Sequence, residues 1–260
     1  MSEWRQPHPV WIVGHRGAPR RGRENSIESL DWAESLGVDA VEFDLRQTRD
    51  GEAVLFHDEQ IQLGTQHLPV RSFTAREMEK LVLPSEFGDY RIPRLEDVFH
   101  RYGPALRYLV EVKVAASTQR LTMARRIAHL ASVFGVRERC LVASFDSEVV
   151  RLVREVDPGI ATSFLFDHPV ALPEPGRPTP LFPAVDAIGP SRQLVTPALM
   201  DQATRAGLSV HPWTADEDEE IRRLLELNVA SITTNAPELA LRIRNGPPPE
   251  ERGVAVSRPA

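Results

Sequence analysis

At 260 residues, with 42% hydrophobic and 26% charged side chains, the chain has material for one sizeable core and lacks the composition of a disordered protein. A formal net charge of −6 offers nucleic acid no bulk attraction, and no stretch approaches the roughly 18 to 20 apolar residues of a membrane span. The single cysteine, Cys140, cannot close an internal disulfide, and the first residues lack a basic-then-apolar leader, so a soluble cytoplasmic protein with no stable membrane insertion is expected.

In chain order, short β-branched runs alternate with helical patterns. Strands are expected at Val10 to Gly14, Ala40 to Leu45, Tyr108 to Val114 and Cys140 to Ser144. Four more follow at Ile160 to Phe166, Val185 to Ile188, Leu208 to Trp213 and Ser231 to Thr234. Helices are expected at Ser26 to Leu36, Thr118 to Phe134, Ser147 to Val156, Pro197 to Ala206 and Asp216 to Leu227. Eight strands with intervening helices point to one closed (β/α)8 barrel with a parallel sheet.

One run breaks the alternation. Ala53-Val54-Leu55-Phe56 follows the second strand across Thr48-Arg49-Asp50-Gly51, a link too short for a parallel crossover. The two runs should therefore form an antiparallel hairpin, which returns His57 level with Glu42 and Phe43. Residues 59–94 hold Gly64, Pro69, Pro84 and Gly88 around one helical pattern, Thr74 to Leu83, and are expected to cap the barrel mouth. The Pro-rich stretch Leu172 to Pro183 should be a loop. The barrel domain is thus expected to span residues 1–245, with residues 246–260 as a disordered tail.

Charged residues recur on single faces of two strands. In Val41-Glu42-Phe43-Asp44-Leu45, strand alternation puts Glu42 and Asp44 on one face and the apolar residues on the other. The apolar set should pack under helices, so the carboxylates face the barrel axis. Val110-Glu111-Val112-Lys113-Val114 repeats the pattern with Glu111 and Lys113 inward. Buried carboxylates need a cation or hydrogen bonds. Oxygen donors of this kind suit one divalent cation, Mg2+ or Ca2+, although buried salt bridges with Lys113 and Arg16 would also neutralise them. His15 and Arg16 end the first strand, where barrel enzymes place catalytic groups, between Gly14 and Gly17, which would allow a tight turn close to a ligand. Arg16 offers a planar fork of donors for phosphate oxygens. His15 and His57 would flank the bound group as two imidazoles that titrate near neutral pH. Cys140, in an apolar run, and the other histidines are expected to be structural.

Taken together, His15-Arg16-Gly17, Glu24-Asn25-Ser26, Glu42-Phe43-Asp44, Asp50-Gly51, His57-Asp58, Ile92-Pro93-Arg94-Leu95-Glu96-Asp97, Glu111-Val112-Lys113 and Trp213-Thr214 resemble, in order, the signature of the glycerophosphodiester phosphodiesterases. The resemblance runs from about residue 12 to residue 240, nearly the whole chain. It implies a barrel with one divalent metal on Glu42, Asp44 and Glu111. It implies His15 and His57 as general acid and base, and Arg16 and Lys113 as phosphate ligands. Trp213 would lie against the glycerol or an apolar substrate part, or simply fill the barrel top. The implied substrate is a small glycerophosphodiester, cleaved to glycerol 3-phosphate and an alcohol.

The sequence departs from the pattern where Thr234-Asn235 stands in place of Thr-Asp. The loss of charge at Asn235 should affect packing beneath the last loop, and substrate choice, while leaving the acid–base and metal groups untouched. Two other readings compete. One is a phospholipase-like barrel acting on lysophospholipids, which would want an exposed apolar rim among Ile61, Leu63, Leu68, Phe73 and Phe87. The other is a non-catalytic barrel that binds phosphorylated ligands.

Overall fold

The computed structural model describes residues 2–114, 116–174 and 182–246. The elements run β1 (Trp11–Gly14), α1 (Ile27–Ser35), β2 (Ala40–Gln47), β3 (Ala53–Leu55), β4 (Gln60–Leu63), β5 (Gln66–Pro69), α2 (Ala75–Met78) and α3 (Leu95–Tyr102). Then follow β6 (Tyr108–Val112), α4 (Arg120–Val133), β7 (Cys140–Ser144), α5 (Ser147–Val156), β8 (Ala161–Phe166) and β9 (Ala187–Pro190). The last are α6 (Pro197–Ala206), β10 (Ser209–Val210), α7 (Asp218–Glu226), β11 (Ser231–Thr234) and α8 (Pro237–Asn245).

Eight parallel strands follow the order β10-β9-β8-β7-β6-β2-β1-β11. The ring closes between its two end strands: Ala230 N–H donates to Val210 O at 2.8 Å, and Thr233 N–H to Pro212 O at 3.1 Å. This is the expected (β/α)8 barrel. The seventh strand is shorter than the run Leu208 to Trp213 suggests, because Pro212 has no N–H to continue a ladder. No helix lies between β8 and β9 among the described residues, although residues 175–181 of that connection fall outside them. The tail beyond Gly246 also lies outside the described residues. Helices α3 and α8 add to those expected. The buried side of α3, Leu95, Val98, Phe99 and Tyr102, has the i, i+3, i+4, i+7 spacing of an amphipathic helix. Among the described residues no helix is long and apolar enough to cross a membrane.

Alternation sorts the strands into layers. Val41, Phe43, Leu45, Tyr108, Val110 and Val112 point outward and pack with Leu30, Phe99, Ile127 and Val149 from the surrounding helices. A second outer core joins Ile12, Ile188, Val210 and Ile232 to α6, α7 and α8. Inside the ring, Trp11, Val13, Ala40, Leu109, Leu141 and Ala161 form an apolar floor, plugged by Trp4 from the N-terminal segment. Cys140 is fully buried in the outer core, where burial pushes its thiol above the ordinary range.

The hairpin pairs Leu45 with Leu55, Arg46 with Val54 and Gln47 with Ala53, antiparallel. Beyond it, residues 59–94 build a β4–β5 hairpin and the short α2, capped by Thr74 and Glu77. Ile61, Val70, Met78, Leu83 and Ile92 pack against Val54 and Phe56 of the first hairpin in a small core of their own.

Candidate active site

The first strand ends in a turn that nothing larger than glycine could build. A Cβ on Gly17, at φ +90°, would lie 2.5 Å from the Ser29 backbone. One on Gly14 would lie 2.3 Å from the Gly17 carbonyl oxygen. The glycines thus let the turn approach itself and α1, whereas the sequence suggested approach to a ligand. Between them Arg16 adopts φ +53°, a strained conformation for a side-chain-bearing residue. Its backbone is over-determined: Arg16 N–H donates to Glu42 Oε2 at 2.8 Å, and its carbonyl accepts from the Ser29 hydroxyl at 2.9 Å and Asn25 N–H at 3.1 Å.

Glu42, Asp44 and Glu111 come together on the inward face, above the apolar floor, with one carboxylate oxygen of each within 4.8 Å of the others. Parallel pairing of Asp44 with Glu111 sets this register. Lys113 Nζ lies 2.5 Å from Glu111 Oε1 and 3.2 Å from Asp44 Oδ1, and Arg16 Nε lies 2.9 Å from Asp44 Oδ2. Three carboxylates therefore face two fixed cations. Burial, reinforced by the charges of Asp44 and Glu111, pushes the Glu42 carboxyl well above the ordinary carboxylate range. Burial also raises Glu111 against the pull of Lys113. For Asp44 burial acts the same way, but Lys113, Arg16 and the Asn25 amide outweigh it and hold the carboxyl below its usual range. Glu42 Oε1 is buried without a hydrogen bond. An open carboxylate oxygen inside an all-oxygen cluster fits a hard divalent cation.

The segment after Arg16 serves as a clamp. Glu24 accepts from Arg16 Nη1 at 2.8 Å. Asn25, itself at φ +57°, donates its amide to Asp44 Oδ2 at 2.9 Å and accepts the Asp44 backbone N–H at 3.0 Å. Ser26 caps α1 by accepting from Ser29 N–H. The sequence placed Asn25 in the signature without a role, since its reach to Asp44 depends on the turn at Arg16.

The two histidines sit differently. His15 is largely buried, with Nε2 3.9 Å from Glu42 Oε2 and Nδ1 2.7 Å from Asn235 Oδ1. Burial, then the Arg16 charge, lowers its pKa below the ordinary imidazole value. The structure therefore corrects the expectation for Asn235, which touches His15 directly. His57 follows β3, and the chain beside it is still paired to β2 through Phe56 N–H to Asp44 O at 3.0 Å. Its side chain is 38% exposed and its Nδ1 lies 2.8 Å from Asp58 Oδ1. Arg46, a residue with no sequence signal, donates Nε and Nη2 to the His57 carbonyl at 3.0 and 2.8 Å. Trp213 is half-buried, donates to Gly189 O at 2.8 Å and meets the exposed ring of Phe145 edge-on at 5.4 Å.

Comparison with known proteins agrees with this architecture. The model of the glycerophosphoryl diester phosphodiesterase family matches residues 15–239. A glycerophosphodiester phosphodiesterase of Caldanaerobacter subterraneus subsp. tengcongensis is 27% identical over 238 residues, which cover 89% of this chain and 96% of that protein. A solved structure from Silicibacter pomeroyi DSS-3, provisionally assigned as a glycerophosphoryl diester phosphodiesterase, superposes with a TM-score of 0.81 at 26% identity, covering 92% of this chain and 94% of the other. The Oleispira antarctica phosphodiesterase OLEI02445, solved with the product sn-glycerol-3-phosphate, shares the fold with a TM-score of 0.76 at 17% identity, covering 92% and 98%. With the family model matching most of the chain, the chain belongs to the glycerophosphoryl diester phosphodiesterase family.

Proposed function

We propose that this protein hydrolyses small glycerophosphodiesters to glycerol 3-phosphate and a free alcohol. One divalent cation, Mg2+ or Ca2+, would be held by Glu42, Asp44 and Glu111. The observation that carries this reading is the buried Glu42 Oε1, open and without a hydrogen bond, in a cluster of three carboxylates at the end of the barrel where His15 also sits. The names of the relatives, and the product bound to the Oleispira neighbour, agree with the substrate class.

When bound, the cation supplies positive charge against the phosphate oxygens. The chain's own residues do the rest. Lys113 and Arg16 face the phosphate and offset charge that builds there. One imidazole of the pair His15 and His57 accepts a proton from the attacking oxygen, and the other donates one to the leaving alcohol. Trp213 and Phe145 line an aromatic side of the mouth for the glycerol or an apolar group. The lysophospholipid reading is less favoured because Ile61 is buried in the insertion's own core, with Leu63 and Phe73 packed against it.

The deciding experiment assays the purified chain on glycerophosphocholine, glycerophosphoethanolamine, glycerophosphoinositol and lysophospholipids, before and after chelation. Turnover of the glycerophosphodiesters, abolished by chelator and restored by Mg2+ or Ca2+, is expected. Undiminished turnover after complete metal removal would contradict the cation's role.

A further inference from the structure

Asn235 follows β11 and is gripped at both ends. Asp216 Oδ1 accepts the Asn235 backbone N–H at 2.7 Å and the Thr234 hydroxyl at 3.0 Å. The hydroxyl proton is free to point there because Thr234 Oγ1 itself accepts from Ala236 N–H at 2.9 Å. The second oxygen, Asp216 Oδ2, lies 2.7 Å from the Asn235 amide nitrogen. An ionised carboxylate can only accept, so the end of the Asn235 amide that faces it must be the NH2. The other end is then the carbonyl oxygen, and it lies 2.7 Å from His15 Nδ1. A carbonyl oxygen carries no proton, so the proton in that bond belongs to His15 Nδ1. In the neutral ring this leaves the lone pair on Nε2, the nitrogen that faces Glu42 and the acidic cluster.

We propose that Asp216 and Asn235 are positioning residues that hold the His15 imidazole in its Nδ1–H tautomer and so assign it the role of base. The proposal rests on the acid–base reading of the two histidines. In the step it describes, His15 Nε2 accepts a proton from the attacking water as the new O–P bond forms. His57 gives its proton to the alcohol oxygen as the old P–O bond breaks. Neither Asp216 nor Asn235 gains or loses a proton. The carboxylate fixes the amide, and the amide fixes the ring.

The test combines histidine 15N–1H multiple-bond NMR on the full chain with Mg2+ present and steady-state kinetics on a glycerophosphodiester. In the wild type the His15 signal, identified by its loss in His15→Gln, should show a protonated Nδ1. Asn235→Leu should abolish that tautomer preference and lower kcat roughly 10- to 100-fold, the range typical when an outer partner of a site residue is removed. KM should stay within about twofold, since a tautomer acts on the chemical step and not on binding. Asn235→Asp alone should also be impaired, because it sets one carboxylate against another. Adding Asp216→Asn restores a donor facing an acceptor, and this double variant should regain both the tautomer and most of kcat. The exchange conserves size, so it carries the test if Asn235→Leu does not fold, as thermal melting would report. A protonated Nε2 in the wild type, an unchanged tautomer in Asn235→Leu, or no rescue in the double variant would overturn the proposal. Full activity in His15→Gln would instead overturn the acid–base reading beneath it.

Discussion

The floor and the mouth of this barrel are built from the same inward faces of the same strands, yet their chemistry is opposite. On β2 the inward residues climb from Ala40 to Glu42 and Asp44, and on β6 from Leu109 to Glu111. Each end also holds a buried histidine. At the floor, His211 is bracketed by the hydroxyls of Ser209 at 2.9 Å and Ser231 at 2.8 Å, beside Trp4. Its ring nitrogens are both satisfied, so nothing points outward for a ligand. At the mouth His15 has one nitrogen satisfied and one turned toward acidic oxygens. A buried polar group is structural when its neighbours complete it, and available for chemistry when they leave an atom open.

The comparison predicts different losses at the two ends. His57→Ala and His15→Ala should each lower kcat/KM by about 10²- to 10⁴-fold, the usual contribution of a general acid or base, with the fold retained by near-ultraviolet circular dichroism. Near-wild-type turnover in either variant would remove that residue from the acid–base pair. Glu42→Gln should weaken Mg2+ or Ca2+ binding by at least roughly tenfold in calorimetry, since it replaces an anionic ligand with a neutral one. Unchanged affinity would refute its assignment as a ligand. Arg46→Met removes two bonds to the His57 carbonyl and should lower kcat by roughly tenfold, a loss of about 1.4 kcal/mol and less than that of removing the imidazole. An Arg46→Met enzyme as fast as wild type would show that the hairpin holds His57 without it.

At the floor the expected effect is on stability and not on turnover. Burial lowers the His211 pKa to about 3, so between about pH 6.5 and 3 the unfolded chain binds a proton that the folded chain does not. Stability should therefore fall as pH drops below about 6.5, by about 1.4 kcal/mol at pH 5.5 from this residue alone. Urea melts of His211→Gln should show a shallower loss than the wild type over that range. Parallel curves would mean that His211 is not the group responsible.

Much of this layout was legible in the chain. Alternation over Val41 to Leu45 and over Val110 to Val114 separates inward charge from outward valine and phenylalanine, because a strand leaves no other arrangement with helices on one side. The Asp50-Gly51 link placed His57 beside Glu42 and Phe43 for the same reason: short links reverse direction. What escaped notice depends on distance or on local strain. The bond from His15 to Asn235 spans 220 residues, and it exists only because the last strand, β11, pairs alongside the first, β1. Asn25 reaches Asp44 only after Arg16 takes its left-handed turn. Arg46 looks like one more solvated cation until the hairpin folds back over it. The seventh strand was overextended because hydrophobicity continues through Pro212 while hydrogen bonding by that residue cannot.

A closed ring has no free sheet edge, but β3 hangs outside it, paired to β2 on one side only within the sheet. Left bare, its other side would be an invitation for another molecule's chain to add a strand, the usual first step toward aggregation. Here the chain returning from residues 59–94 meets that side itself, through an antiparallel bridge between Val54 and Arg94 and a 2.8 Å bond from Leu55 N–H to Pro93 O. Shortening or unravelling that return should therefore show first as loss of solubility, before any loss of the barrel.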